Sequence, residues 1–76
     1  TEVESGVEAA IGALDEPIRA VFLMNRFDGL KYREIAETLE ISVKTVEARM
    51  SKALAQLREA LAEYLLLAIS LGMWLL

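Results

Sequence analysis

The sequence predicts an all-α fold of four helices, the last two of which form a C-terminal helix-turn-helix without a wing. Seventy-six residues are enough for one small domain. Apolar residues make up 55% of the chain, which supplies the core that a short chain needs and excludes intrinsic disorder. With one Pro, four Gly and many Leu, Ala and Glu, the composition favours helices over strands.

The first helix is predicted over residues 1–14, where apolar residues recur near the helical spacing of 3.6. A break follows, and Asp15 is placed to cap the second helix by accepting hydrogen bonds from free backbone N–H groups. Pro17 suits the first turn of that helix, which is expected to run from Ile18 to about Phe27 as a buried element. Its core side chains are Ile18, Val21, Phe22, Met24 and Phe27.

The third helix is predicted over residues 31–39. Asp28 and Gly29 end the helix before it, because glycine takes a positive φ angle without strain. Residues 40–42 form a short turn, and Ser42 is a favourable N-cap for the last helix. The apolar side chains of the third helix lie at offsets 0, 3, 4 and 7 and therefore share one face: Tyr32, Ile35, Ala36 and Leu39.

The fourth helix is predicted from Val43 without interruption as far as Gly72. At 100° per residue its apolar side chains form one stripe, which comprises Val43, Val46, Met50, Ala53, Leu54, Leu57, Leu61 and Tyr64. The opposite side carries Lys44, Ala48, Ser51, Lys52, Ala55 and Arg58, with Glu47 beside them. The polar side of this helix is therefore expected to face away from the core.

After Tyr64 the amphipathic pattern ends, and only Ser70 and Gly72 are not apolar in residues 65–76. A helix of this length reaches about 18 Å, which is too short for a hydrocarbon core of about 30 Å. We therefore predict a domain over residues 1–64 and an apolar helical tail over 65–76. We expect the apolar surface of the tail to be covered by self-association or by contact with an absent part of a longer parent protein. A membrane surface is the less favoured partner, although Trp74 suits a bilayer interface.

Side chains that dominate covalent and metal chemistry are missing from the chain. It contains no Cys and no His, which excludes disulfides, thiolate zinc sites, Cys nucleophiles and His-based triads. A metal ion would have to be bound by carboxylates alone, and no phosphate-binding glycine loop is visible. We therefore predict a protein that is not an enzyme and that uses no cofactor and no metal.

Charge is distributed unevenly along the sequence. Eight basic and twelve acidic side chains give a net charge of −4, which by itself argues against a polyanionic partner. Residues 1–16 contain five acids and no base, whereas residues 43–58 contain four bases and one acid. A locally basic surface is therefore compatible with the acidic composition.

The segment most informative about function is 32–52. A short helix, a three-residue turn and a longer helix with a partly basic outer face are typical of a helix-turn-helix. Small Ala36 permits a close helix crossing, Ile41 anchors the turn and Val46 packs beneath Ala36. The first two turns of the last helix would then enter a major groove. Helical hairpins without DNA function share this spacing, so the pattern alone leaves both interpretations open.

The stretch LDEPIRAVFLMNRFDGLKYREIAETLEISVKTVEARMSKALAQLREAL resembles region 4, the C-terminal domain of sigma-70 family transcription factors. The resemblance runs from about Ala10 to Tyr64 and is strongest to the extracytoplasmic-function group, particularly its versions from Bacteroidetes. GLKYREIAETL followed by ISVKTVEARMSKAL carries it almost residue by residue. The resemblance implies a cytoplasmic domain that recognises the −35 promoter element while bound to RNA polymerase.

The resemblance also implies roles for individual residues. The positions that read the promoter in the family are Lys44, Glu47, Ala48, Ser51 and Lys52 in this sequence. Thr45, Tyr32 and Arg33 fall where the family contacts phosphates. The family binds a flexible flap of the polymerase core in an apolar groove, for which Phe22, Phe27, Leu57 and Leu61 are the candidates here. An anti-sigma factor is a further candidate partner.

Several positions depart from the family pattern. Glu40 stands where Gly or Asn is frequent, and a left-handed conformation there would cost roughly 1 kcal/mol. Lys31 replaces the usual Ser or Thr cap. Glu47 and Ala48 make the reading face less basic, so isolated binding is expected to be weak. The domain that binds the −10 element is absent from this sequence, so we expect a part of a sigma factor.

Two other functions remain open at the level of sequence. A response-regulator type of helix-turn-helix also carries KTVE in its last helix, but LDEPIRAVFL and FDGLKYREIAETL favour the sigma interpretation. A helical protein-interaction module would instead use the acidic surface and the apolar tail and would not bind DNA.

Overall fold

A computed structural model describes the backbone of residues 2–75 and the side-chain surroundings of residues 4–63, 65, 66, 69, 70 and 72. Its helices are α1 (Glu2–Gly12), α2 (Glu16–Arg26), α3 (Tyr32–Leu39) and α4 (Val43–Leu75). The described backbone contains these four helices and no strand. The predicted all-α, four-helix fold is confirmed, with α3 and α4 as its helix-turn-helix.

The core forms where α4 crosses the other three helices. α2, α3, α4 and the bend at Leu14 contribute to one buried cluster, in which Ile35 and Val46 are fully inaccessible to solvent. α1 packs against this cluster through the half-buried Ala10 and Ile11. α3 buries the face predicted for it, with Tyr32 and Leu39 half-buried at its margins. The buried residues are Leu14, Ile18, Val21, Phe22, Ile35, Ala36, Val46, Met50, Ala53 and Leu57.

The apolar stripe of α4 is buried only in its middle. Val46, Met50 and Ala53 are inside, but Val43 and Leu61 are 41% and 38% exposed, so the prediction is wrong for these two. Val43 is the first residue of the helix, and Leu61 lies on the wall of a surface groove rather than in the closed core. Tyr64 lies outside the residues whose side chains are described.

The sequence analysis predicted Phe27 as a core residue. This prediction is wrong, because the side chain of Phe27 is 70% exposed. α2 ends at Arg26, and Phe27 forms the C-cap, where its N–H still donates to the carbonyl of Leu23 at 2.9 Å. The chain turns away from the core at this point. The phenyl ring consequently lies on the wall of the same surface groove as Leu61.

The junction between α1 and α2 is capped differently from the prediction. The carboxylate of Asp15 forms no cap hydrogen bond, and its backbone carbonyl instead accepts from the N–H groups of Ile18 (3.0 Å) and Arg19 (2.8 Å). The guanidinium Nη1 of Arg19 donates to the carbonyls of Gly12 (3.2 Å) and Leu14 (2.8 Å). Arg19 therefore satisfies carbonyls at the C-terminal end of α1.

The loop between α2 and α3 is shaped by Gly29, which was predicted, and by Asn25, which was not. Gly29 has a φ angle of +71°, which confirms its role in ending α2. The N–H of Leu30 donates to the carbonyl of Met24 at 3.0 Å, and Nδ2 of Asn25 donates to the carbonyl of Leu30 at 2.9 Å. These bonds hold the chain in the direction that α3 follows.

The tail continues α4 without a break as far as Leu75. Leu65, Leu66 and Ile69 are 59%, 65% and 50% exposed, whereas the side chain of Trp74 is outside the described residues. No described helix has the length and apolar character needed to cross a membrane. The division at residue 64, and the surface that covers the tail, stay predictions.

Val46→Asp is expected to unfold the domain, since it places an unpaired carboxylate at a fully buried position. The free energy of unfolding should fall by about 4 kcal/mol or more, most of the stability of so small a domain. Circular dichroism with thermal melting measures the loss. Ala48→Asp introduces the same side chain at an exposed position and should retain the parent melting transition. Equal melting temperatures of Val46→Asp and the parent would contradict the assignment of Val46 to the buried side of α4.

Candidate DNA-binding surface

The first helix of the motif, α3, begins with half of a capping box. Oε1 of Glu34 accepts a hydrogen bond from the N–H of Lys31 at 2.9 Å. The reciprocal bond is missing because a lysine ammonium has no acceptor. Glu34 also places a negative charge in the first turn, where the helix dipole favours it. Glu34 thus compensates for the Ser or Thr cap that Lys31 replaces.

The turn between α3 and α4 is a Schellman motif. The N–H of Ile41 donates to the carbonyl of Ala36 at 3.0 Å, and the N–H of Glu40 donates to the carbonyl of Glu37 at 3.3 Å. Glu40 adopts φ 56° and ψ 46°, which is the left-handed conformation. This is the conformation considered for the position, where Gly or Asn is frequent in the family. Ile41 packs against the core and anchors the turn, as predicted.

Ser42 caps α4, as the sequence predicted. Its Oγ accepts a hydrogen bond from the N–H of Thr45 at 3.0 Å, and its carbonyl accepts from the N–H of Val46 at 3.1 Å. The hydroxyls of Ser42 and Thr45 are hydrogen-bonded to each other at 2.9 Å. The first residue of α4, and hence the phase of the whole helix, is therefore set by the turn.

The five candidate promoter-reading residues lie together on the exposed side of α4, opposite the buried Val46, Met50 and Ala53. We call them the reading face: Lys44, Glu47, Ala48, Ser51 and Lys52. None of the five belongs to the core cluster, and all are exposed. The structure thus gives these side chains access to a partner, and their role in DNA recognition stays a prediction.

The three candidate phosphate contacts differ in accessibility. Thr45 is half-buried beside the reading face, with its hydroxyl bonded to Ser42. Arg33 is exposed in the first turn of α3, and Tyr32, the first residue of α3, is half-buried against the core. Helix N-termini with free N–H groups suit phosphates. The location of these residues at helix starts agrees with such contacts, and their role in binding phosphates stays a prediction.

An open groove of about 620 Å³ runs between the N-terminal end of α2 and the first turns of α4. Its lining combines reading-face residues with the start of α2: Asp15, Pro17, Ile18, Lys44, Thr45, Ala48, Arg49 and Lys52. Three side chains of this set are basic and one is acidic. The groove concentrates positive charge beside the reading face despite the net charge of −4.

Arg49 is the residue that sequence reasoning missed at this surface. It is half-buried and also lines a neighbouring groove with Glu16, Leu39 and Ile41. Its stem packs between α2 and the turn, as long basic side chains often do. The helical wheel contained the signal, since Arg49 lies 60° from Val46 and therefore belongs to the margin of the buried stripe.

The four candidate flap-binding residues line a second groove, on another side of the molecule. Its volume is about 450 Å³, and Phe22, Phe27, Leu57 and Leu61 all lie on its walls, as the resemblance implied. Val7 and Ile11 of α1 and Leu54 of α4 complete the apolar part, with Arg26 and Arg58 as its basic members. Among the described residues, no acidic cluster suited to a metal ion occurs.

Comparisons with known proteins point to one family. The family model described as Sigma-70, region 4 matches residues 6–57, which include parts of α1 and α4 and all of α2 and α3. The ECF RNA polymerase sigma factor SigE of Mycolicibacterium smegmatis is 34% identical over 58 residues, and the RNA polymerase sigma-H factor of Pseudomonas aeruginosa is 33% identical over 60 residues. These alignments cover 76% and 79% of this chain but 23% and 31% of the relatives. The chain therefore spans less than a third of their lengths.

Glu40→Gly is expected to raise the free energy of unfolding by about 1 kcal/mol, because glycine adopts the left-handed conformation without steric strain. Urea denaturation measures the change. Glu37→Gly, three residues earlier and exposed inside α3, should lower stability by about 1 kcal/mol, since glycine is unfavourable in a helix interior. A loss of stability in Glu40→Gly would contradict strain at this position.

Ser42→Ala should lower the free energy of unfolding by about 1 kcal/mol, since the N–H of Thr45 loses its side-chain acceptor. Ser42→Asp retains an acceptor and should keep nearly the parent stability. The control is Ser51→Ala, an exposed position within the same helix, for which chemical denaturation should show no loss. Indistinguishable stabilities of Ser42→Ala and Ser51→Ala would mean that the cap is dispensable.

Proposed function

This chain belongs to the sigma-70 region 4 family, and on that premise we propose that it binds the −35 promoter element as part of a sigma factor in transcription initiation. The observation that carries the proposal is the reading face. Five side chains at the family's promoter-reading positions are exposed on the first turns of α4, opposite a closed core. An α-helix fits the major groove, so these turns are free to contact base edges.

Each member of the reading face has a chemical partner among the groups on base edges. Lys44 and Lys52 suit guanine O6 and N7, and Ser51 can donate to or accept from several base edges. Glu47 suits the amino group of cytosine, and the methyl of Ala48 suits the methyl of thymine. Lys44 and Lys52 are separated by about 12 Å along the helix axis, which matches several successive base steps.

Phosphate contacts would position the domain without reading sequence. Arg33 and Tyr32 at the start of α3, and Thr45 in the first turn of α4, are the residues proposed for that role. With a net charge of −4 and few basic groups on the reading face, isolated binding should be weak. Attachment to the polymerase would compensate by raising the effective concentration of the domain at the promoter.

RNA polymerase core is the second proposed partner, through its flap region. The apolar groove formed by Phe22, Phe27, Leu57 and Leu61 supports this assignment, because it is open and lies apart from the reading face. An anti-sigma factor and self-association through the 65–76 tail are further proposed interactions. The chain would act by binding rather than catalysis, in the cytoplasm, where promoters and polymerase meet.

A protein-only interaction module is the alternative, which the exposed Leu65, Leu66 and Ile69 and the acidic net charge favour. Titrating a fluorescent −35 duplex with the folded chain at two salt concentrations separates the two. DNA binding predicts an affinity that falls steeply with salt and exceeds that for a scrambled duplex. Folded protein that fails to bind at low salt supports the protein-only function, and equal affinity for the scrambled duplex contradicts promoter recognition.

Lys52→Glu is expected to weaken binding to the −35 duplex by about tenfold or more at low salt and to bring that affinity closer to the affinity for the scrambled duplex, while the melting temperature stays unchanged. Fluorescence anisotropy and circular dichroism measure both. Arg58→Glu makes the same charge change about 9 Å further along α4, in the apolar groove, and should have a much smaller effect. Equal losses in the two variants would indicate a general charge effect rather than a contact at position 52.

A further inference from the structure

Asp15 brings a negative charge to a groove whose other charged lining residues are basic. It lines the groove beside the reading face together with Lys44, Arg49 and Lys52. Among the residues described as lining that groove, Asp15 is the acidic one. A carboxylate in this place opposes the approach of DNA phosphates, which the three cations attract.

The carboxylate of Asp15 does not cap α2 through a hydrogen bond. No side-chain cap hydrogen bond is formed, although Asp15 occupies the N-cap position. The backbone carbonyl accepts the bonds from Ile18 and Arg19 instead, and any residue could supply that carbonyl. Asp15 is also exposed, so its charge is directed to solvent and to whatever occupies the groove.

The neighbourhood of Asp15 makes its charge effective at the DNA-facing side. Arg49 forms part of the groove wall and is half-buried, whereas Asp15, Lys44 and Lys52 in the same lining are exposed. Glu16, the next residue, lines the adjoining groove, which Arg49 shares. Each of the two grooves that Arg49 lines therefore contains one acid from the start of α2.

We propose that Asp15 restrains DNA binding electrostatically, lowering affinity for duplexes of every sequence so that stable binding requires the base contacts of the reading face. This inference rests on the proposed function, because it concerns the same surface. An equal penalty on phosphate approach leaves the ratio of cognate to non-specific affinity unchanged, but it lowers the occupancy of non-specific DNA, so that stable complexes form only where base contacts add to the binding free energy. The restraint complements the low basic content of the reading face.

Asp15→Asn tests the proposal, because it removes the charge and leaves a side chain of the same size and similar capping tendency. Affinity for both the −35 duplex and the scrambled duplex should rise by about three- to tenfold at low salt, and the gain should shrink as salt is added. Fluorescence anisotropy at two salt concentrations measures the gain, and thermal melting confirms that the variant is folded. Glu8→Gln makes the same change in net charge at an exposed position of α1. This control should leave the affinity for DNA within about twofold of the parent value.

The outcomes separate this inference from the proposed function. A parent chain that binds neither duplex contradicts DNA binding itself. A parent that binds DNA, with Asp15→Asn unchanged, contradicts the restraint alone. A loss of affinity confined to one duplex would mean that Asp15 accepts a hydrogen bond from a base, and an equal gain in Glu8→Gln would mean that net charge, not position, matters. Both results overturn the proposal.

Discussion

The packing of the front half of α4 against α2 and α3 determines what this domain presents to its surroundings. Val46, Met50 and Ala53 are almost completely inaccessible, so the rotation of the helix about its axis is fixed by the core. With 100° between residues, burial of that stripe exposes the reading face on the other side. A rotation by one residue would bury part of a charged surface, which is strongly unfavourable without partners.

The turn before α4 supplies the second part of this constraint. Three residues end α3 in a Schellman motif and begin α4 with a side-chain cap, so the crossing of the two helices has little freedom. Glu40 accepts a left-handed conformation that costs roughly 1 kcal/mol relative to glycine. The domain retains that strain because the hydrogen bonds of Ile41 and the packing of its side chain over-determine the turn.

One long helix serves two proposed partners through different stretches of its surface. Near its start, α4 and the beginning of α2 enclose a groove of mixed but mainly basic character. Further along, α4 meets α1 and the end of α2 in a groove whose walls are mostly apolar. Separating the two by position along a rigid rod allows simultaneous contact with DNA and with a protein. The acidic start of α2 lies at the border of the basic groove, where its charge bears on DNA affinity.

The sequence by itself determined the number and order of the helices, the buried faces of α3 and α4, the Ser42 cap and the exposed position of the reading face. Each follows from local rules of spacing, capping and turn chemistry that act within a few residues. Only the tertiary structure decided the exposure of the Phe27 side chain, the bonds of Arg19 to the end of α1, and the meeting of Asp15 with Arg49 in one groove beside the reading face. These depend on which residues distant in sequence become neighbours, and periodicity along a single helix carries no information about that.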